Sequence, residues 1–184
     1  MNSSGKVLIL GASGGIGGEV ARRLVANNWQ VRALNRGAQI RDPADGIQWI
    51  AGDALDAGQV AAAAAGCDVI VHAVNPPGYR HWRQQVLPML RNTLQAAERQ
   101  QALVVLPGTA YNYGPDAFPL IDEAAPQQPV TRKGAIRVEM EQALEDYVQR
   151  GGRVLIVRAG DFFGPRAGNN WFSHCLLYTS DAAD

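Results

Sequence analysis

Lys6-Val7-Leu8-Ile9-Leu10-Gly11-Ala12-Ser13-Gly14-Gly15-Ile16-Gly17 is the stretch whose reading decides the fold. One charge followed by four aliphatic residues is the pattern of a strand buried on both faces, as at the centre of a parallel sheet. Glycines follow at once, and beyond them Ile16, Val20 and Leu24 recur at helical spacing as far as the Asn27-Asn28 pair. A strand that passes through glycines into a helix makes an anion site, because the first turn of the helix carries free N–H groups and the positive end of its dipole. In that context Gly11 permits the tight turn, Gly14 lets the backbone approach a pyrophosphate, and Gly17 lets the helix pack against the strand. Ser13, Gly15 and Ile16 complete the cradle.

Working outward, strand-length apolar runs alternate with helical patterns, which argues for a parallel sheet covered by helices. Gln30–Leu34 reads as the second strand, Ile47–Ala51 as the third, Asp68–Val74 as the fourth, Leu103–Leu106 as the fifth and Val154–Val157 as the sixth. Between them lie an alanine-rich helix at Val60–Ala65 and a long amphipathic helix at Arg80–Gln101, in which Pro88 marks a kink or a restart. A further helix spans Arg132–Arg150, with Ile136, Met140, Ala143, Leu144, Tyr147 and Val148 on one face and Gly151-Gly152 as its stop. Gly114–Pro129 is a proline-rich loop long enough to be functional.

The bulk properties bound the partners. A chain of 184 residues that is 47% hydrophobic and 18% charged supports one domain with a real core. Lys plus Arg and Asp plus Glu each number 17, so no overall field favours nucleic acid or an anionic membrane. Cys67 and Cys175 form no disulfide framework, and no apolar run has the length of a signal peptide or membrane span, so the reading is a cytoplasmic protein. Residues 1–168 read as the domain. Residues 169–184 read as a tail, from a truncated frame ending in foreign sequence or an ordinary frayed C-terminus.

These motifs resemble the extended and atypical short-chain dehydrogenase/reductases, the group of the NAD-dependent epimerase/dehydratases. The G-x-x-G-x-x-G spacing from Gly11 carries the likeness first. Gly52-Asp53-Ala54-Leu55-Asp56 is similar to the family's adenine-pocket segment, which implies that Asp53 accepts from the adenine amino group and that Ala54 lines the pocket. Val71-His72-Ala73-Val74 is similar to the stretch that lines the cofactor. Leu106–Pro115 resembles the Ser/Thr segment ending in Tyr-Gly-Pro. Arg158–Pro165, with Gly160, resembles the stretch after the sixth strand. The resemblance implies an α/β, doubly wound parallel sheet of the Rossmann fold with strand order 3-2-1-4-5-6, a substrate side completed by C-terminal segments, and dimerisation through the two long helices.

NAD-preferring members of this fold place an acid at the end of the second strand. Here that strand ends Leu34-Asn35-Arg36, and a guanidinium suits a 2′-phosphate. The cofactor expected is therefore NADP, with NAD admitted; the plainer alternative for Arg36 is a solvated loop arginine.

The family's chemistry implies a hydroxyl residue and a helical Tyr-x-x-x-Lys. Thr109 matches the hydroxyl position, but anchoring the helix on Glu141 puts Lys133 at the Tyr position and Arg137 at the Lys position. Arg137 can hold the nicotinamide ribose, though an arginine does not give up its proton. Lys133 lies four residues before it on the same face and is a candidate acid or base, and Tyr111 is a substitute source of a phenol. Cations at a helix start oppose the dipole, so Arg132, Lys133 and Arg137 suit either an anionic ligand or a solvated basic end. His72 reads as a packed, hydrogen-bonded histidine, Tyr113 as a packed loop tyrosine, Asp122-Glu123 as a solvated turn, and His81 and Trp82 as a helix start facing the cleft. Two functions stay open: an NADP-dependent oxidoreductase or epimerase acting on a carbonyl or sugar-type small molecule, and a non-catalytic NADP(H)-binding sensor or regulator.

Overall fold

The computed structural model describes residues 5–76 and 82–160. The tail from residue 161, including the Asp161–Pro165 segment, and His81 lie outside them. Six parallel strands form one sheet: β1 (Lys6–Leu10), β2 (Gln30–Asn35), β3 (Ile47–Ala51), β4 (Val69–His72), β5 (Leu103–Gly108) and β6 (Arg153–Arg158). Their order is β3-β2-β1-β4-β5-β6, as the sequence led us to expect. Among the described residues four α-helices lie between them: α1 (Gly15–Ala26), α2 (Ala57–Ala63), α3 (Trp82–Gln100) and α4 (Arg132–Gln149).

The alternation of side chains along β1 explains the two-layered cover. Leu8 and Leu10 enter one core with Val60, Leu90, Leu94, Met140 and Leu144, the side of α2, α3 and α4. Val7 and Ile9 enter a second core with Ala21, Val31 and Ala33, the side of α1. Both faces of β1 are therefore dry, which is why its sequence shows no polar alternation. Its pairing with β2 runs Lys6 to Gln30 through Leu10 to Leu34, and with β4 Val7 to Val69 through Leu10 to His72. The chain order reverses between β2 and β4 on either side of β1, so the loops after β1 and β4 open a crevice at the carboxyl ends of the strands.

Two elements differ from the sequence reading. α3 runs through Pro88 as one helix, with Val86, Leu87, Met89 and Leu90 all buried around the proline. Packing on both sides of Pro88 offsets the lost backbone hydrogen bond. On α4 the apolar face is narrower than expected: Met140, Leu144 and Tyr147 are buried, whereas Val148 is 47% exposed. Arg150 caps the helix and Gly151 adopts φ +89, the left-handed stop that the glycine pair predicted.

That split on α4 is measurable. Leu144→Ala is expected to cost about 3 kcal/mol of stability and Val148→Ala no more than about 0.5 kcal/mol, read from urea midpoints. Equal losses would contradict the packing described.

Candidate functional site

The glycine loop is shaped by what glycine omits. Gly11 has φ +91, and a Cβ there would lie 2.5 Å from the carbonyl carbon of Ala73 and 2.6 Å from the nitrogen of Val74. The loops after β1 and β4 thus touch backbone to backbone at the base of the crevice. A Cβ on Gly17 would overlap the Gly11 carbonyl oxygen, so α1 can seat against the loop only without one. Gly14 donates its N–H to the Gly11 carbonyl at 2.9 Å and stands as the N-cap of α1, where no side chain caps the helix and no acid sits in the first turn. Ser13, Gly14 and Gly15 are exposed, and beside Gly15 there is open space. Ile16 is half-buried in the same turn. The cradle offers backbone donors and a dipole that no side chain among the described residues caps.

The end of β2 borders the cradle. The Asn35 amide donates to Ser13 Oγ at 3.1 Å, and its oxygen accepts from the Gly37 N–H at 2.8 Å. Arg36 projects outward, 77% exposed, with its guanidinium 4.0 Å from Asp53. Asp53 also accepts from the Leu55 N–H at 3.0 Å, and its own N–H donates to Gln59 at 2.8 Å, which fixes the turn. Ala54 is buried and its carbonyl accepts from Asn92 of α3 at 3.0 Å. The structure brings Ser13, Asn35, Arg36 and Asp53 to one side of the crevice.

On the other side stand the ends of β4, β5 and β6 and the start of α4. Ala73 and Val74 are half-buried against Gly11. Thr109 follows β5 and caps a short turn, Ala110–Asn112, accepting from the Tyr111 N–H at 3.4 Å. Tyr111 is 42% exposed, and the Lys133 ammonium lies 5.5 Å from the centre of its ring. Thr131 caps α4 by accepting from the Gly134 N–H at 3.0 Å. A Cβ at Gly134 would overlap the Tyr111 carbonyl oxygen, so α4 sits directly on the turn that carries Tyr111. Lys133 and Arg137 part company: Arg137 lies 5.1 Å from the ring centre of Trp82, at the start of α3. Gly160, exposed with open space around it, lies apart from these contacts. Tyr113 is buried under the Arg158 guanidinium at 5.0 Å, and Asp122 accepts from its own turn at Ala124.

A polar network holds this half together, and the sequence reading did not find it. Arg158 at the end of β6 makes a two-pronged pair with Glu141 of α4, both contacts 2.8 Å, and donates to the Thr109 carbonyl at 2.6 Å. That pairing with Glu141 holds the Arg158 guanidinium above its usual range. Gln127 of the proline-rich loop donates to Glu141 at 2.6 Å and accepts from Asn112 at 3.0 Å. Glu141, set between Met140 and Leu144 of the buried face of α4, was the available signal, since an acid there needs a partner.

His72 is buried, and its Nδ1 lies 2.8 Å from Thr93 Oγ. Thr93 spends its own proton on the Met89 carbonyl at 3.0 Å, so His72 Nδ1 carries a hydrogen and donates to it. Nε2 is left as a bare acceptor, buried and without a hydrogen-bond partner among the described residues. Burial, helped by the charge of Arg137, holds the imidazole down at about 3. Among the described residues no cluster of His, Cys, Asp and Glu could hold a metal, and no helix is long and apolar enough to cross a membrane.

The family model for NAD dependent epimerase/dehydratases matches residues 7–180. The chain belongs to that family. Among curated proteins this epimerase/dehydratase-family chain is similar to y4nL of Sinorhizobium fredii, an uncharacterized protein, at 29% identity over 86% of the chain and 51% of the relative. Among solved structures it resembles a putative epimerase from Burkholderia cenocepacia (TM-score 0.80, 23% identity), covering 100% of this chain and 63% of that one. A dTDP-glucose 4,6-dehydratase from Streptomyces venezuelae, solved as a double mutant with NAD and DAU bound, is similar at a TM-score of 0.80 and 22% identity. It spans 96% of this chain and 62% of the dehydratase. The family member described here therefore spans about half to three-fifths of the length of these relatives.

The charge state of His72 gives a pH test. An unfolded histidine takes up a proton near 6.5, while the folded one stays neutral down to about 3, so between these values the unfolded chain binds more protons and stability rises with pH. Through this group stability should fall by about 1.4 kcal/mol for each pH unit below about 6.5. Urea unfolding at about pH 7 and about pH 5 should show that slope in the parent and lose it in His72→Gln; an equal slope in both would refute the assignment.

Proposed function

We propose that this chain binds NADP(H) in preference to NAD(H) and forms the cofactor half of an oxidoreductase or epimerase acting on a carbonyl or sugar-type small molecule. The observation that carries the reading is the uncapped N-terminus of α1, opened by glycines that a Cβ would fill and bordered by a β2 end that offers Arg36 in place of an acid. Ser13, Gly14, Gly15 and Ile16 would hold the pyrophosphate, and Asp53 and Ala54 the adenine. The Arg36–Asp53 contact is exposed and long, a kind worth less than about 1 kcal/mol, so a 2′-phosphate can draw the guanidinium away. Ala73 and Val74 would line the path toward the nicotinamide, with Gly160 beyond them, and Arg137 would hold the ribose.

When bound, the nicotinamide supplies a hydride acceptor and donor. The chain's own part is the proton. Tyr111 stands on the turn after β5 with the Lys133 ammonium over its ring, and its phenol hydroxyl is the group that would hold or release a proton at a substrate oxygen. Lys133, although it occupies the Tyr register, acts here as the cation beside that phenol. Thr109, capping the same turn and donating to Asn112 at 3.4 Å, is placed to orient the substrate.

A second reading, a non-catalytic NADP(H)-binding sensor or regulator, is favoured by Lys133 standing where the resemblance calls for a tyrosine, which leaves the crevice end of α4 without a phenol. Substrate-dependent consumption of NADPH separates the two.

Titration of NADPH and NADH by nicotinamide fluorescence tests the cofactor. Arg36→Ala should weaken NADPH about tenfold or more and leave NADH within about twofold. Absence of binding by either dinucleotide in the parent defeats the proposal. For the reaction, Tyr111→Phe should lower turnover about a hundredfold with cofactor affinity unchanged; turnover equal to the parent's would remove Tyr111 from the chemistry.

A further inference from the structure

Arg137 occupies a register that the family resemblance assigns to lysine, and the two cations ask different things of their surroundings. A lysine ammonium is a compact, strongly hydrated charge. A guanidinium is planar, weakly hydrated and rich in fixed donors, and it is held best by a ring beneath it and an acceptor at its edge. The structure supplies the ring from α3, and at the end of β4 it leaves an acceptor that no donor among the described residues fills. The ring is Trp82, 5% exposed at the start of α3, and its Nε1 donates to Asn75 Oδ1 at 2.8 Å in the loop after β4. That bond ties the indole to the crevice side of the sheet, and Arg137 Cζ lies 5.1 Å from the ring centre. A buried indole that meets a desolvated guanidinium holds it more strongly than an exposed pair does.

The acceptor is His72, the last residue of β4. Its tautomer is set by the chain Met89 carbonyl, Thr93 hydroxyl, His72 Nδ1, which leaves Nε2 a bare acceptor, buried and without a donor among the described residues. A buried acceptor left unsatisfied is costly, and the cation whose charge bears on this imidazole is Arg137. We propose that His72 and Trp82 are positioning residues for Arg137, holding its guanidinium between β4, α3 and α4 at the place where the nicotinamide ribose is taken up. This rests on the reading of Arg137 as the ribose-binding residue. It adds that the replacement of lysine by arginine works through a site built for the guanidinium plane.

The test uses the full chain. NADPH affinity is measured for Trp82→Leu, Trp82→Phe, His72→Leu and His72→Gln, each alone and with Arg137→Leu. Trp82→Leu and His72→Leu should each weaken binding about tenfold, Trp82→Phe and His72→Gln should recover most of it, and none should cost anything further beside Arg137→Leu. Losses that persist in the Arg137→Leu background overturn the proposal, because they would then act without Arg137. If the parent binds no dinucleotide, the cofactor reading fails and the clamp is judged by nitrogen NMR of the His72 ring. A bare Nε2 whose resonance moves in Arg137→Leu and not in Lys133→Leu supports it, and one that ignores Arg137→Leu overturns it.

Discussion

The contact between Gly11 and the backbone of Ala73 and Val74 is the constraint on which the crevice depends. A side chain at residue 11 would push apart the loops that follow β1 and β4, the two strands between which the order of the sheet turns. With the loops in contact, α1 begins at the crevice and points its free N–H groups into it. Gly17 completes the arrangement by letting the helix rest on the Gly11 carbonyl. Backbone geometry, more than any side chain, fixes where the free N–H groups of α1 point.

The opposite wall is built on another principle. α4 begins with Arg132 and Lys133, and Arg137 comes one turn later, against the direction its dipole favours. Two of these cations are offset by aromatic faces from neighbouring elements, Lys133 by Tyr111 and Arg137 by Trp82. The helix is anchored further along by Glu141, whose carboxylate is shared between Arg158 and Gln127. The basic end of α4 is therefore a set of directed contacts. Mutual repulsion along one helical face, which the spacing of four suggests, is relieved because the two side chains rest on different rings.

Features that are periodic or contiguous along the chain were legible in the sequence. The apolar run of β1, the glycines after it and the 3.6-residue pattern of α1 are local, and they located the glycine loop; the strand order came with the family resemblance. The asparagine–arginine end of β2 was legible for the same reason. The pairing of Glu141 with Arg158, the partnering of Trp82 with Asn75 and the bond of His72 to Thr93 join residues 17, 7 and 21 positions apart across the tertiary fold. No period announces them. The restart the sequence allowed at Pro88 does not occur, because burial of Val86, Leu87, Met89 and Leu90 outweighs the local rule against proline in helices. Val148 misled because the sequence marks which residues are apolar and leaves open how much of the face a neighbour covers.

The Arg158 contacts also order events in time. Strands β1 to β3, with α1 and the Arg36 and Asp53 ends, are made from the first third of the chain and pair largely with their neighbours in sequence. Thr109 and Glu141, by contrast, are joined by a residue synthesised 49 and 17 positions later, respectively. During synthesis the glycine-loop wall can take shape while the opposite wall still waits for β6. A nascent chain would thus acquire its glycine loop first and the Thr109–Tyr111 wall second, with Arg158 as the closing stitch.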